Sequence, residues 1–124
     1  MEIKEKISVV IVNFNAGLGL VDSVRAAIAD AYEVIVIDNA SSDSSLEWLE
    51  STFGSNSKLR IVRGLSNEGF AKACNRGVAL ATGKFVFFLN PDCELEEGAV
   101  ACLLEAIQAD GEVGMVGGLL LNTD

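Results

Sequence analysis

The sequence predicts an α/β protein with a Rossmann-like arrangement: a mostly parallel sheet with helices on both faces. Apolar, β-branched runs of strand length recur along the chain, and segments with helical spacing of apolar residues separate them. No repeat or linker interrupts this alternation. Strands joined through helices are parallel with right-handed crossovers, which places helices on both sheet faces. With 124 residues, the chain is expected to form one domain over residues 1–124.

The first half of the chain is expected to contain two strands and two helices. Nearly continuous β-branched runs over 7–12 and 33–37 predict strands buried on both faces. Between them, apolar residues recur at helical spacing over 18–28. Ser44 and Glu47 fit a capping box that opens the second helix.

The second half continues the alternation up to an ending without a closing helix. Asn67 is a candidate cap for the third helix, and Asn90-Pro91 stops the strongest strand pattern of the chain. The predicted elements are a strand over 59–62, a helix ended by Gly83, a strand over 84–89, a helix over 96–109 and a strand or strand plus turn over 113–121.

Composition excludes several classes of protein. Half of the residues are apolar, 22% are charged and one is proline, which excludes a disordered chain. The net charge of −9 argues against nucleic acid or an anionic membrane surface as the main partner. No basic residue follows Lys84, whereas eight acidic residues do. This acidic half suits a bound cation, although solvated helix faces also explain it.

Cysteine and histidine usage limits the chemistry further. The chain has three cysteines and no histidine, so Cys/His zinc sites and catalytic triads that need histidine are excluded. No signal-peptide pattern is present, and the longest apolar run is far shorter than a membrane span. We therefore expect a reducing cytoplasm and cysteines that act as small core residues.

Polar residues follow each predicted strand, where ligands of parallel sheets bind. Asp38 and Asp92 reach this edge from separate strands, although either could merely cap a helix or close a loop. Pro91 ends the strand ladder and presents Asp92 beyond the sheet. Mg²⁺ or Mn²⁺ often takes only one or two protein carboxylates and completes its shell with phosphate and water. The sequence therefore predicts a metal-assisted diphosphate site.

Other nucleotide motifs fit less well. A P-loop is absent. The segment 17–22 resembles a dinucleotide fingerprint, but Asp22 stands at its third position and 13–16 intervenes after the strand. The clustered aspartates of a phospho-receiver domain are missing after the first strand. A dinucleotide-binding α/β domain stays an alternative.

Taken together and in order, the motifs closely resemble family 2 glycosyltransferases, and the rhamnosyltransferase-like enzymes of cell-surface polysaccharide synthesis are the most similar branch. The resemblance covers essentially the whole chain. The segments that carry it are 7–15 (ISVVIVNFN), 34–43 (VIVIDNASSD), 67–71 (NEGFA), 75–77 (NRG), 81–83 (ATG) and 88–92 (FLNPD).

The resemblance implies a GT-A fold and an inverting transfer of sugar from a UDP- or dTDP-linked donor, with dTDP-rhamnose among the candidates, to a glycan or lipid-linked acceptor. Asp38 would accept a hydrogen bond from the pyrimidine N3–H, Arg76 would face the diphosphate, and Gly69 would let the backbone approach the nucleotide. The implied nucleotide-binding residues are Asn13, Phe14, Asn15, Asp38, Asn39, Gly69, Arg76 and Asn90.

Asp92 would be the metal ligand, the last aspartate of the family's D-x-D. The first position of that motif is Asn90 here, so we expect metal binding to weaken rather than vanish. In the family, this stretch is the nucleotide-binding half, and the catalytic base is expected beyond residue 124. Glu94, Glu96 and Glu97 are poor candidates for that base, because acidic residues are favoured at any helix start.

Two alternatives to an enzyme fragment remain at this point. One is a non-catalytic module that holds a nucleotide without transferring sugar. The other is an assembly role, in which the exposed sheet edge pairs with a second copy of the chain. Peripheral association with the inner face of the membrane is a further expectation for the full-length enzyme.

Overall fold

A computed structural model describes residues 6–119 and residue 121. The chain divides after Glu94 into two compact units, and the four strands found among the described residues belong to the first. In chain order the elements are β1 (Ile7–Asn13), α1 (Gly19–Asp30), β2 (Glu33–Asp38), α2 (Ser45–Phe53), β3 (Leu59–Arg63), α3 (Phe70–Leu80), β4 (Phe85–Leu89) and α4 (Ala99–Gln108).

The four strands form one parallel sheet in the order β3-β2-β1-β4. Asn13 lies opposite Asp38, and Asp38 lies opposite Arg63, so three strands end at the same level. Leu89 pairs with Ile11, and β4 therefore ends two residues earlier. This register gathers the four following loops at the C-terminal edge of the sheet.

The core lies on both faces of the two central strands. On one face, Val10, Val12, Ile35 and Ile37 pack with Ala73 of α3. A Cβ at Gly77 would lie 2.4 Å from a Val10 methyl group, so glycine is what allows α3 to approach β1 this closely. The opposite face is covered as well: α1 contacts β2 and α2, and the residues buried there are Val9, Ile11, Val34, Val36, Leu20, Val24 and Leu49.

The N-terminal edge of the sheet is closed by a carboxylate. Glu33 Oε2 accepts hydrogen bonds from the Ser8 hydroxyl at 2.5 Å and from the backbone and hydroxyl of Thr82 at 2.7 and 3.0 Å. The Gly83 N–H donates to Ser8 Oγ at 2.8 Å. Burial raises the pKa of Glu33, but these hydrogen bonds outweigh it and hold the pKa below its ordinary value. The network ties β1, β2 and the turn before β4 together.

Several sequence-based expectations need correction. The strand expected over 113–121 is irregular in its described residues, because three glycines weaken it and none of those residues pairs with another strand. The fourth helix begins after Gly98, whose positive φ of 84° ends the preceding turn, and not at Glu96. Cys102 is exposed rather than in the core, whereas Cys74 is partly buried against it.

The helix starts also differ from their predicted caps. Ser44 makes no side-chain cap hydrogen bond; Asp43 accepts from the Ser45 backbone N–H instead. The third helix begins after Gly69, and Asn67 accepts from the Gly69 N–H rather than capping the helix itself. Among the described helices, none combines the length and the apolarity that crossing a bilayer requires.

Candidate functional site

A buried polar network joins the ends of β1 and β2. Asn13 Nδ2 donates to Asp38 Oδ1 at 2.9 Å and to Ser45 Oγ at 2.9 Å. Asp38 also accepts from the Ser41 hydroxyl at 2.7 Å and from the Ser41 backbone N–H at 3.0 Å. The Asn39 N–H donates to the Asn13 carbonyl. Every polar side chain of this network has a partner inside the protein.

This placement changes the expected role of Asp38. Its side chain is 3% exposed and accepts three hydrogen bonds from protein donors. A hydrogen bond from a pyrimidine N3–H would therefore have to reach a carboxylate that is almost entirely covered by protein. The same holds for the side chains of Asn13, fully buried, and Asn39, 3% exposed. All three residues are thus buried at this edge, whereas Phe14 and Asn15 beside them are exposed.

The loop after β1 is fastened to the loop after β2. Asn15, at a positive φ of 53°, accepts from the backbone N–H groups of Ser42 and Asp43 at 2.8 and 3.1 Å. Asp43 Oδ2 accepts from the Gly17 N–H at 2.9 Å. The Ser45 hydroxyl, and after it the backbone N–H groups of Ser45 and Gly17, hold the pKa of the Asp43 carboxyl below its ordinary value. Asp43 thus links the loop after β1 to the start of α2.

The loop after β3 lies against β2. The Gly64 N–H donates to the Asp38 carbonyl at 2.8 Å, and a Cβ at Gly64 would stand 2.6 Å from that oxygen. Asn39 Nδ2 donates to the Gly69 carbonyl at 3.2 Å. Gly69 has a φ of 93° with open space around it, so it is its backbone conformation that favours glycine. Arg76 is exposed beside this loop, 4.0 Å from Glu68.

The loop after β4 forms a tight turn that exposes its carboxylate. The Cys93 N–H donates to the Asn90 carbonyl at 3.1 Å, with Pro91 and Asp92 in the middle of the turn. Asn90 and Asp92 are both exposed. The Cys93 thiol lies 3.7 Å from Asp92 Oδ1, and burial, with the Asp92 charge second, raises the pKa of this thiol. The thiol therefore stays protonated near neutral pH.

Asp92 suits a hard divalent cation that phosphate oxygens help to hold. Within the described ranges, no lysine or arginine pairs with it, and no three Asp, Glu or Cys side chains converge as a complete protein cage. A single exposed carboxylate next to an amide matches the sparse protein ligation typical of Mg²⁺. The donor set thus fits a cation shared with a diphosphate and does not fit one held by protein alone.

The structure brings some of the predicted residues together and separates others. Phe14, half exposed, and Asn15 stand at the end of the central strand β1, next to β4 and its Asp92 turn. Arg76 is beside the loop of β3, the opposite edge strand. Neighbouring strands are about 4.8 Å apart, so three spacings separate these two edges by about 14 Å. The Arg76 guanidinium lies near Gly64, on the β3 side of the sheet, whereas Asp92 follows β4.

Sequence reasoning did not find two buried serines of the site. Ser45 holds Asn13, and Ser23, on α1, contacts the backbone of the Asp92 turn. Both serines are fully buried. They lie within predicted helices, where the sequence alone gives no reason to distinguish a small polar residue from one that only packs. The only available signal was their position on the apolar stripe of each helix.

Comparison with known proteins places this geometry in a family. A sequence profile described as glycosyl transferase family 2 matches residues 8–123. Glycosyltransferase GlyG of Streptococcus pneumoniae serotype 4 is 28% identical over 107 residues, covering 84% of this chain and 36% of that protein.

Solved structures share the fold. TarS 1–349 of S. aureus, crystallised with UDP-GlcNAc, superposes with a TM-score of 0.70 at 22% identity, over 82% of this chain and 32% of TarS 1–349. Mannosyltransferase PcManGT from Pyrobaculum calidifontis, in complex with GDP-Man and Mn²⁺, gives a TM-score of 0.75 at 19% identity, over 83% and 32%. The chain spans about a third of the length of these relatives. It shares the GT-A fold of these structures and belongs to glycosyl transferase family 2.

Proposed function

We propose that this chain binds the donor of an inverting glycosyltransferase: a sugar linked to UDP or dTDP, with dTDP-rhamnose among the candidates. The acceptor is a glycan or a lipid-linked sugar of a cell-surface polysaccharide, and the compartment is the cytoplasm. The observation that carries the proposal is the exposed Asp92 carboxylate, held on a tight turn at the same sheet edge as Phe14 and Asn15. Family membership supports the choice of a sugar donor.

The nucleotide is proposed to lie across the C-terminal edge of the sheet. The diphosphate lies toward β4 and Asp92, and the pyrimidine lies toward β2 and β3. Phe14, 50% exposed, offers a ring face to the base or ribose. Arg76 and the backbone at Gly69 then border the base end rather than the diphosphate. This orientation revises the role expected for Arg76 from the resemblance alone.

Asp38 is proposed to act through its neighbours. By accepting from Asn13 and Ser41 it fixes the loops after β1 and β2, and these loops present Phe14 and Asn15. If Asp38 only supports the loops, removing its carboxylate should weaken the binding of all nucleotides equally. A direct pyrimidine contact would instead predict a selective loss of uridine and thymidine nucleotides.

Asp92 and Asn90 are the residues proposed to hold Mg²⁺ or Mn²⁺. When bound, such a cation neutralises the diphosphate and stabilises it as a leaving group. The chain has no basic residue after Lys84, so Asp92 has no cationic partner of its own in this part of the sequence. The amide oxygen of Asn90 is a weaker ligand than a carboxylate, so we expect modest metal affinity without nucleotide.

Calorimetric titration of UDP, dTDP and GDP, with Mn²⁺ or with a chelator, tests the proposal. We expect UDP and dTDP to bind more tightly with Mn²⁺, and Asp92→Ala to abolish that gain. Glu94→Ala removes an exposed carboxylate two residues away and is the matched control. Equal binding with Mn²⁺ and with chelator in the unmodified chain would contradict the metal assignment.

A sugar-transfer assay distinguishes an enzyme fragment from a non-catalytic nucleotide-binding module. The catalytic base is proposed to lie beyond residue 124, so the 124-residue chain should bind the donor without transferring sugar. A longer protein containing this chain should transfer it. Binding without transfer by the longer protein would favour the non-catalytic module.

A further inference from the structure

Ser23 fastens the turn that carries Asp92 to helix α1. Its hydroxyl is fully buried and lies 2.9 Å from the carbonyl oxygen of Pro91. It is also within hydrogen-bond distance of the carbonyl oxygen of Cys93. These two carbonyl groups belong to the residues on either side of Asp92. One side chain therefore contacts the backbone both before and after the exposed carboxylate.

Helix α1 also contacts this turn through a second residue. A Cβ added to Gly19 would lie 3.3 Å from the Pro91 carbonyl oxygen and 3.8 Å from Asp92 Cα. The first of these distances is tighter than an ordinary contact, so a side chain at Gly19 would press on the turn. Gly19 and Ser23 are four residues apart and lie on the same face of α1.

The Asp92 side chain has little else to fix its direction. Among the described residues, its one side-chain hydrogen bond is the long, weak one from the Cys93 thiol. Its orientation therefore depends on the backbone of the turn. A hydrogen bond from the Cys93 N–H to the Asn90 carbonyl fixes the turn, and the Ser23 hydroxyl contacts the carbonyl groups of Pro91 and Cys93.

We propose that Ser23 is a positioning residue for the metal ligand Asp92. The inference rests on the proposed function, because it needs Asp92 to bind the cation. Substituting a residue that orients a metal ligand without touching the metal typically lowers metal affinity by 10- to 100-fold. A serine that only stabilised the fold would lower stability without a selective loss of metal affinity.

The test compares Mn²⁺ binding in the presence of saturating UDP, measured from the free Mn²⁺ signal by electron paramagnetic resonance. We expect Ser23→Ala to weaken Mn²⁺ roughly tenfold, the lower end of that range. Metal-free UDP binding should change less than about twofold. Ser51→Ala is the matched control, because the exposed Ser51 hydroxyl bonds only a carbonyl of its own helix, that of Glu47.

Gly19→Ala supplies a second variant that leaves Ser23 in place and displaces the turn by contact. It should also weaken Mn²⁺ more than metal-free UDP, and it decides the question if Ser23→Ala fails to fold. Suppose that the unmodified chain binds Mn²⁺ and that Asp92→Ala does not. Unchanged Mn²⁺ affinity in both folded variants would then overturn the inference and leave the proposed function standing. Absence of Mn²⁺ binding by the unmodified chain would overturn both.

Discussion

At the N-terminal edge of the sheet, the Glu33 carboxylate accepts hydrogen bonds from hydroxyl and backbone groups and links β1, β2 and the turn before β4. At the C-terminal edge, Asp38 is satisfied in a similar way, but the loops fastened by it carry exposed groups. Phe14, Asn15 and Asp92 all stand free of the core there. At both edges a carboxylate accepts hydrogen bonds from hydroxyl and backbone groups, but only at the C-terminal edge do these bonds fix the loops that carry Phe14 and Asn15. The proposed binding edge differs in that its network supports loops carrying the exposed Phe14 and Asn15.

The largest expected effect comes from breaking the C-terminal network. Asp38→Ala would leave the buried Asn13 amide and the partly buried Ser41 donors without this acceptor. A buried hydrogen-bonding group left unpaired costs about 1–3 kcal/mol, and more for partners of a charge. We expect the free energy of unfolding to fall by about 3 kcal/mol in urea denaturation, with nucleotide binding impaired for every base.

Asp22→Ala is the control for Asp38→Ala, because it removes an exposed carboxylate whose partner is Arg25. Surface ion pairs of this kind contribute about 0–1 kcal/mol. A similar loss of stability in both variants would show that the buried network is not special.

A steric change at the other edge is expected to lower stability and spare the site. A Cβ at Gly83 would stand 2.2 Å from the Lys6 carbonyl oxygen and 2.6 Å from Ser8 Oγ. Overpacking of this kind costs about 1–3 kcal/mol, so Gly83→Ala should lower the urea midpoint. Nucleotide affinity of the folded fraction should not change.

Gly111→Ala is the matched control for this variant, because a Cβ there would meet no atom within 4 Å. Weakened UDP binding by folded Gly83→Ala would argue that the two edges are coupled. The comparison of the edges as independent regions would then fail.

The smallest effect is expected from Glu33→Gln, which keeps the shape and removes the charge. The pKa of Glu33 is held below its ordinary value of 4.5, so its charge stabilises the folded state above that pH. The contribution disappears as the pH falls through the lowered pKa. We expect Glu33→Gln to cost about 1 kcal/mol at neutral pH and to match the unmodified chain in strongly acidic solution. Urea denaturation at several pH values measures this; a pH-independent difference would contradict the role of the charge.

The sequence predicted the scaffold better than the site. Of the five expected strands, the first four were found within one residue at each end. Apolarity over 113–121 was misleading, because a strand also needs a partner, and glycines there oppose extended pairing. A run of apolar residues indicates a strand only where those residues are buried by pairing in a sheet.

The strand-end rule identified the right edge but not which polar groups face solvent. Asp38 and Asp92 look alike in the sequence, yet one is 3% exposed and the other is exposed on a turn. The difference depends on contacts across 25 residues for Asp38 and 68 residues for Ser23 and Pro91. Such pairings follow from strand order and register, which local patterns do not contain.

The most direct test of the account locates the cation on the sheet. Amide NMR signals of the chain are recorded with UDP while Mn²⁺, which broadens signals of nearby nuclei, is added. We predict selective broadening at the C-terminal edge, at Asp92, Cys93 and Asn15, while Ser8, Glu33 and Gly83, about 20 Å away along the strands, stay sharp. Broadening that is uniform, or that is strongest around Glu33, would contradict the account.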